Sequence, residues 1–505
     1  MNYYTFVLGS IFALSFLYTL AKICTRGSKK LPPGPSPWPI IGSLHLLGAK
    51  PHVSLANLAK IYGPIMSIKL GQITTLVISS SSMAKQVLKY QDQDFSTRFI
   101  VDAVRAHNYW KSSVAWLPVC PQWRTLRRIL NTNIFSSNML DANQHLRSQK
   151  MKELIAYCAK CCQEGEALDV GQIAFKTNLN LLSNTLFSKD LADPFSDSKS
   201  MTSFLDFKAE LKDVIWDIMS EMGKPNLVDF FPILEKIDPQ GIRHRTSIHF
   251  DKLFKLFDDL INERKKEKRR LCGERSDFLE VYLNDVKENP EELNHNHIKA
   301  LLLDLFLAGS DTTTSTLEWA MAEILRQPKI LKKAKDELAE IIEKEKLVEE
   351  ANVSRLPYLQ CIIKEVLRMH PPAPFLGPRK VEQDVELCGY IIPKGSQVLI
   401  NVWEIGRDSN FWEDPLVFKP ERFWNSKLDV RGQDFGLIPS GAGRRICPGL
   451  SLALRMVSVM LGSLLNSFNW KLESDINDPE ELDMEERFGI TLAKVQPLRA
   501  IPSLL

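Results

Sequence analysis

Hydrophobic and polar positions divide the chain into an apolar leader, a proline-rich connection and a long, mainly helical body. From Tyr3 to Ala21 no side chain is charged, and at about 1.5 Å per residue such a helix can cross a hydrocarbon core of about 30 Å. The pattern predicts a transmembrane anchor over residues 1–24. The basic residues Lys22, Arg26, Lys29 and Lys30 follow the apolar run instead of preceding it. This differs from a cleaved signal peptide and predicts a cytosolic body. The alternative, a buried N-terminal helix of the body, is opposed by the proline-rich stretch Leu31 to Pro39, which stops any helix and makes residues 25–40 a basic, proline-rich hinge. On this topology the sequon at Asn352 stays unglycosylated.

Beyond the hinge, residues 41–505 read as one domain. Ile65 to Leu70 and Ile73 to Ile78 alternate with period two around Gly71 and predict a β-hairpin, and a second β region runs from Val385 to Val402 around a turn at Pro393 to Gly395. Most of the chain between them has helical periodicity, as in Met151 to Cys162, Phe250 to Glu263, His297 to Arg326 and Lys329 to Glu345. The expected fold is mainly α with small β-sheets. The basic run Arg264 to Arg270 is expected to be a solvated loop, and His295 and His297 to lie on a loop ahead of the long helix.

Composition narrows the class. The 505 residues carry 64 Lys and Arg against 61 Asp and Glu, a net charge of +3. That argues against nucleic acid as a partner, which asks for a strong basic excess. With 44% hydrophobic and 25% charged residues the chain is globular, and nine dispersed cysteines are too few for a disulfide scaffold. Cys158, Cys161 and Cys162 cluster, but no second pair follows at zinc spacing, so the cluster reads as helix surface.

The densest chemical signal runs from Pro439 to Gly449, P-S-G-A-G-R-R-I-C-P-G, with the helical stretch Leu450 to Phe468 directly after it. The glycines let backbone approach a flat group closely. A cysteine at a helix N-terminus has its thiolate favoured by the helix dipole and by unpaired N–H groups, which suits a metal ligand. Arg445 can pair with a carboxylate on a bound group. In isolation a buried cysteine is usually inert packing; this context makes Cys447 the candidate ligand.

The string resembles the cysteine-ligand loop of the cytochrome P-450 family of haem-thiolate monooxygenases, F-x-x-G-x-R-x-C-x-G, through Gly443, Arg445, Cys447 and Gly449. Ser440 stands where the family has Phe. The resemblance implies the cytochrome P-450 fold, haem b (iron protoporphyrin IX), Cys447 as the axial iron ligand and Arg445 as a propionate partner. Glu365 and Arg368, with Arg422 in P-E-R-F, resemble the family's structural Glu-Arg-Arg triad. Trp123 and Arg127 resemble its W-x-x-x-R helix and would hold a propionate; Arg379 is a further candidate. Ala308 to Thr313 resembles the A/G-G-x-D/E-T-T/S motif, in which Gly309 would open the helix for dioxygen while Thr312 and Asp311 organise water for proton delivery. For an anonymous helix the competing reading is that Thr312 merely bonds back to a carbonyl one turn earlier. His370, a possible ligand by type, reads as structural.

There is no dinucleotide fingerprint and no phosphate loop. Electrons would then come from another protein, by resemblance an NADPH-dependent flavoprotein reductase of the endoplasmic reticulum membrane, docking near Arg124, Arg127, Arg128 and Arg444. The segments from Ile40, from Asn226 to Arg245 and from Leu482 to Leu492 resemble the plant branch that hydroxylates geraniol at C8, early in iridoid and indole alkaloid synthesis. Close relatives in the branch oxidise coumarins, other phenolics or diterpenoids, so an oxidase of coumarins, phenolics, alkaloids or other terpenoids is the alternative within the same chemistry; a haem scaffold without turnover is the alternative outside it. The implied substrate pocket for a small lipophile beside O2 draws on the loop Val101 to Val114, including Val104, on Phe306 and Ala308, on Ala373 and Phe375, and on Phe488 and Ile490. Tyr109 to Lys111, Gly377 and Glu404 depart from the branch.

Overall fold

A computed structural model describes Gly9 and residues 31–192, 203–270, 277–288, 291, 293–343, 346–473 and 478–505. Apart from Gly9, the anchor expected over 1–24 lies outside the described residues. The proline segment does not stand off from the body. Ser67 donates through its amide to the Pro33 carbonyl at 2.9 Å and through Oγ to the Pro32 carbonyl at 2.7 Å, so the chain is docked from Pro32 onward. Prolines lack donors but keep acceptors, which makes them suited to lie along a strand edge.

The longer helices are α1 (Pro51–Tyr62), α2 (Pro121–Leu130), α3 (Gln144–Glu164), α4 (Val170–Phe187), α5 (Ser203–Gly223), α6 (Ile242–Arg270), α7 (Phe278–Glu288), α8 (His295–Arg326), α9 (Pro328–Ile341), α10 (Pro357–Met369) and α11 (Leu450–Ser467). The largest sheet starts with the hairpin β1 (Ile65–Leu70) and β2 (Ile73–Ile78), paired in the register Ile65 to Ile78. Two short strands follow later in the chain, β3 (Leu168–Asp169) and β4 (Arg379–Lys380). The hairpin β5 (Val385–Leu387) and β6 (Tyr390–Ile392) stands alone, while β7 (Gln397–Ile400) pairs parallel to β2 and antiparallel to β4. The small sheets at the C-terminal end contain β8 (Asn469–Leu472), β9 (Glu486–Arg487), β10 (Ala493–Lys494) and β11 (Arg499–Ser503). The β2–β7 pairing joins segments more than 300 residues apart, so both ends of the body fold onto each other.

Helix α8 is the axis of the molecule. Asn294 caps it, accepting from the amides of Asn296 and His297 at 3.0 and 3.2 Å, while His297 Nδ1 accepts from the Asn294 amide at 3.2 Å. This reciprocal cap satisfies donors that a helix start leaves open. His295 and His297 therefore belong to the helix and not to a loop; His297 is buried beside Gln122, and burial lowers its pKa. The apolar residues of 298–307 sit in one hydrophobic core with Phe187 and Phe257, and those of 317–325 in a second core with Leu181 and Leu461. The stretch between belongs to neither core and holds the helix's Ser and Thr residues, while Asp304, Glu318 and Glu323 are acids buried within the flanking spans.

Two surface expectations are corrected. Helix α6 runs through Arg270. Arg264 is buried and ion-paired to Asp277 at 2.6 and 2.7 Å, because a buried guanidinium requires a carboxylate partner. Cys158 and Cys161 face the core, and burial raises the Cys158 thiol pKa, so they are unreactive packing rather than helix surface. Among the described residues, α11 alone is long and apolar enough to cross a membrane, yet 72% of it is buried inside the protein, as expected of a core helix.

Candidate functional site: a thiol above a cluster of arginines

The chain reaches Cys447 through a tight turn. The Cys447 amide donates to the Ser440 carbonyl at 3.0 Å and the Ile446 amide to the Gly443 carbonyl at 3.1 Å. Gly443 has φ +68, and a Cβ there would lie 2.2 Å from the Leu88 carbonyl oxygen, so any side chain would force the turn away. Helix α11 starts three residues after the cysteine. Cys447 is exposed, yet burial raises its pKa. The thiol is therefore reachable, yet set among enough protein to disfavour its charge. Backbone donors at Gly449 and Leu450 and the Arg127 charge act in the opposite direction and favour the thiolate.

Four guanidiniums gather near this turn. Arg445 donates to the carbonyls of Ser96 and Val114 at 3.0 and 3.3 Å, and to that of Leu117. Arg127 donates to Ile446 at 2.6 Å. Arg98 donates to Ala115 and Gly377 at 3.0 and 2.7 Å, and Arg379 to Phe95 at 2.8 Å. Burial lowers every one of their pKa values, and repulsion from neighbouring arginines adds to it at Arg98, Arg379 and Arg445: Arg98 falls to about 10 and Arg445 to about 9. Among the described residues none of the four forms an ion pair with a carboxylate, and Arg379 Nε is buried without a hydrogen-bond partner. Buried like charges without counter-ions are costly, so the cluster is suited to an anionic group.

Trp123 serves the cluster differently from expectation. Its indole N–H already donates to the Val114 carbonyl at 3.0 Å, while its face supports Arg445 at 4.7 Å and Arg127 at 6.0 Å. It is a shelf for guanidiniums, by cation–π contact. Arg98 was missed by sequence reasoning. A single arginine between Thr97 and Phe99 has no local pattern to mark it.

On α8, Ala308 is exposed, Gly309 and Thr312 are half-buried, and the rest of the turn is closed. The helix passes through this stretch without a break. Gly309 is explained by packing: a Cβ would sit 2.8 Å from Leu182 Cδ1 on α4. Thr312 Oγ1 donates to the Ala308 carbonyl at 2.6 Å, the back-bond that helical threonines form. Asp311 points elsewhere. It is buried, burial raises its pKa against the pull of Thr491 and Arg487, and it lines a separate cavity of about 300 Å³ with Trp216, Arg487, Phe488 and Ile490.

The expected pocket residues divide in the same way. Phe306 and Val104 contribute no accessible surface. Phe306 is held between Phe187 and Phe257, with ring centroids 6.1 and 5.6 Å away, and is core because it lies on the opposite side of α8 from Ala308. Ala373 and Phe375 are half-buried, and Phe375 meets Phe488 edge-on at 5.7 Å. Phe488 stacks on His52 at 5.5 Å, whose Nε2 lies 3.1 Å from Glu486.

Supporting networks surround the site. Glu365 is wholly buried and receives Arg368 at 2.7 and 2.8 Å and Arg422 at 2.9 Å. His370 stacks on Trp319 at 4.0 Å and binds Glu323 at 2.8 Å, a structural role. Asp304, one turn before Ala308, was also missed, although an acid inside an apolar helix was a visible signal. Glu404 is half-buried, and burial pushes its carboxyl up to about 7.

The chain is similar to known proteins over its whole length. The chain is 62% identical to "Geraniol 8-hydroxylase" of Catharanthus roseus over 505 residues, all of both chains, and 59% identical to the protein of the same name from Swertia mussotii over 504 residues, 100% of this chain and 99% of the other. It is 57% identical to "7-ethoxycoumarin O-deethylase" of Helianthus tuberosus over 474 residues, 94% of each. The Cytochrome P450 family pattern matches residues 32–496. With that span covering nearly the whole described body, the chain belongs to the cytochrome P450 family, the haem-binding monooxygenases.

Proposed function

We propose that this protein hydroxylates geraniol to 8-hydroxygeraniol, in a haem site built on Cys447. The observation that carries the chemistry is the conjunction of an exposed thiol just ahead of α11 with a cluster of arginines that have no carboxylate partner among the described residues, Arg379 and Arg445 of them buried. The substrate follows from the full-length 62% identity to a relative named for that reaction. The residues fit haem b: Cys447 would ligate the iron, Arg98, Arg127, Arg379 and Arg445 would supply positive charge for the propionates, and Trp123 supports two of those arginines. Thiolate-ligated haem iron supplies the redox chemistry that activates dioxygen.

The protein's own part is positioning, dryness and proton handling. Thr312 donates its proton to Ala308, so its oxygen lone pairs are free to accept from water at the cavity face. Asp311, about a quarter turn round the helix from Thr312, is a proton carrier next to Arg487 and Thr491 and not a direct partner of Thr312. Ala308, Ala373 and Phe375 offer an apolar wall, with Phe488 and Ile490 behind it. Such a wall discriminates one methylene by about 1–3 kcal/mol, which is why a coumarin-oxidising relative at 57% identity makes coumarin ether cleavage the second reading.

The same proposal includes an anchor over residues 1–24 in the endoplasmic reticulum membrane, a connection over 25–40 whose final part is docked on the body, and a catalytic domain over 41–505. Electrons come from an NADPH-dependent flavoprotein reductase approaching the exposed Arg124, Arg128 and Arg444. The test is turnover by microsomes containing this protein and a plant reductase, after the carbon monoxide spectrum establishes haem loading. NADPH-dependent 8-hydroxygeraniol is the expected product. Loaded haem with no product rejects geraniol and directs the assay to 7-ethoxycoumarin.

A further inference from the structure

A second cavity, of about 570 Å³, is walled by parts of residues 97–118, by residues 228–235 between α5 and α6, and by Lys380, Glu382 and Gly395. Among the described residues neither Cys447 nor any of Ala308 to Thr312 borders it, so it is separate from the thiol. Phe99, Ile100, Trp116 and Val228 give it an apolar wall.

Its charges do not cancel. Lys380 lies 3.4 Å from Glu382, Arg105 3.7 Å from Glu235 and Arg243 3.2 Å from Asp102 Oδ1. Arg98 is turned to the Ala115 and Gly377 carbonyls. What remains is acidic. Asp102 is 1% exposed, and its Oδ2 has no hydrogen-bond partner. Asp229 is half-buried, accepts from the Asp102 amide at 2.6 Å and forms no ion pair among the described residues. Burial pushes the Asp229 carboxyl up to about 7, and the Asp102 charge adds to this against the pull of the Asp102 amide and Arg105. Two neighbouring carboxylates in a half-closed site repel each other unless a cation or a proton relieves them.

The chemistry of that cation is constrained. Among the described residues no group of three His, Cys, Asp or Glu side chains is placed to hold a metal ion, and a small ion would leave the apolar wall uncovered. An organic ammonium uses both parts of the cavity: its charge meets the carboxylates while its hydrocarbon body covers Phe99, Ile100, Trp116 and Val228. We infer that this cavity is a second ligand site, for a lipophilic ammonium ion, with Asp229 and Asp102 as its counter-ions. The ligand is held away from Cys447 and not as a substrate, which goes beyond the haem chemistry.

The test uses the full-length, haem-loaded protein in detergent, with benzyltrimethylammonium as the probe, a cation with an aromatic body and no nitrogen lone pair to ligate iron. Calorimetry at pH 8 should give one site whose affinity is unaffected by excess geraniol or 7-ethoxycoumarin. Asp229→Asn keeps an acceptor for the Asp102 amide and removes the charge. It should raise the probe's Kd about tenfold, the scale of one ion pair in a half-closed site, with the carbon monoxide spectrum and substrate turnover as in wild type. In wild type the Kd should also rise as pH falls from 8 to 6, as Asp229 takes up a proton among Asp102, Arg105, Glu235, Asp238 and Arg243; the variant should change less. A further measurement needs no variant: 2,2-dimethylpropylbenzene, the neutral isostere, should fail to displace the probe from wild type. Equal Kd in wild type and Asp229→Asn overturns the assignment. So does displacement of the probe by the isostere or by either substrate, and so does the absence of binding by wild type at millimolar probe.

Discussion

Arg127 Nη2 donates to the carbonyl of Ile446 at 2.6 Å, one residue before the cysteine, so the helix that faces the site also steadies the turn that presents the thiol. The same guanidinium favours the thiolate form of Cys447. Arg127→Ala removes both effects. We expect a lower ratio of haem to protein and a smaller thiolate-type carbon monoxide signal, with Arg128→Ala, exposed on the same helix, unchanged in haem content. Cys447→Ala should abolish that signal outright; a thiolate-type spectrum in this variant would refute the ligand assignment.

Glu365 stands between two arginines that have no other carboxylate among the described residues. Glu365→Ala leaves two buried cations uncompensated, a loss of about 3–5 kcal/mol. Expression of folded, haem-loaded protein should collapse. Arg422→Lys should be milder, because Arg368 keeps its bidentate contact. Thermal denaturation of both variants, with haem content, checks this ordering.

Thr312→Ala deletes a back-bond of the kind that contributes little to helix stability. The protein should fold and load haem normally. Product formation should fall at least tenfold, the scale on which a positioned proton-transfer group acts, while NADPH consumption continues. Equal product per NADPH in wild type and variant would remove Thr312 from proton delivery.

Glu318 on α8 accepts from the Leu498 amide at 2.9 Å, and burial, reinforced by Asp169, raises its pKa to about 7. Its unfolded value is about 4.3. The group therefore contributes stability that is fully present below about pH 4.3 and is lost as pH rises through about 7, on the order of 3 kcal/mol. Glu318→Gln keeps an acceptor for Leu498 and cannot ionise. It should raise the Tm at pH 8 and change it little at pH 5. Equal Tm differences at the two pH values would show that Glu318 does not titrate on unfolding.

The hairpin at 65–78, the long helices and the Cys447 turn were legible in the sequence because each depends on residues close in the chain. Period two, period 3.6 and a glycine-spaced cysteine are local signals. The Glu365–Arg368 pair is one helical turn and was equally readable; Arg422 joined it only through motif likeness. Against this, the parallel pairing of β2 with β7, the docking of Pro32 and Pro33 on β1, the burial of Arg264 and the side of α8 on which Phe306 and Asp311 lie came only from the folded chain. So did the meeting of Arg98, Arg127, Arg379 and Arg445, and the hydrogen bond that the Tyr109 hydroxyl donates to Asp304. The physical reason is the same in each case. A sequence by itself determines which segments can form helices and strands and which residues have useful chemistry. Whether a charge is buried, and what it then faces, depends on partners brought from distant segments, and only the tertiary structure decides that.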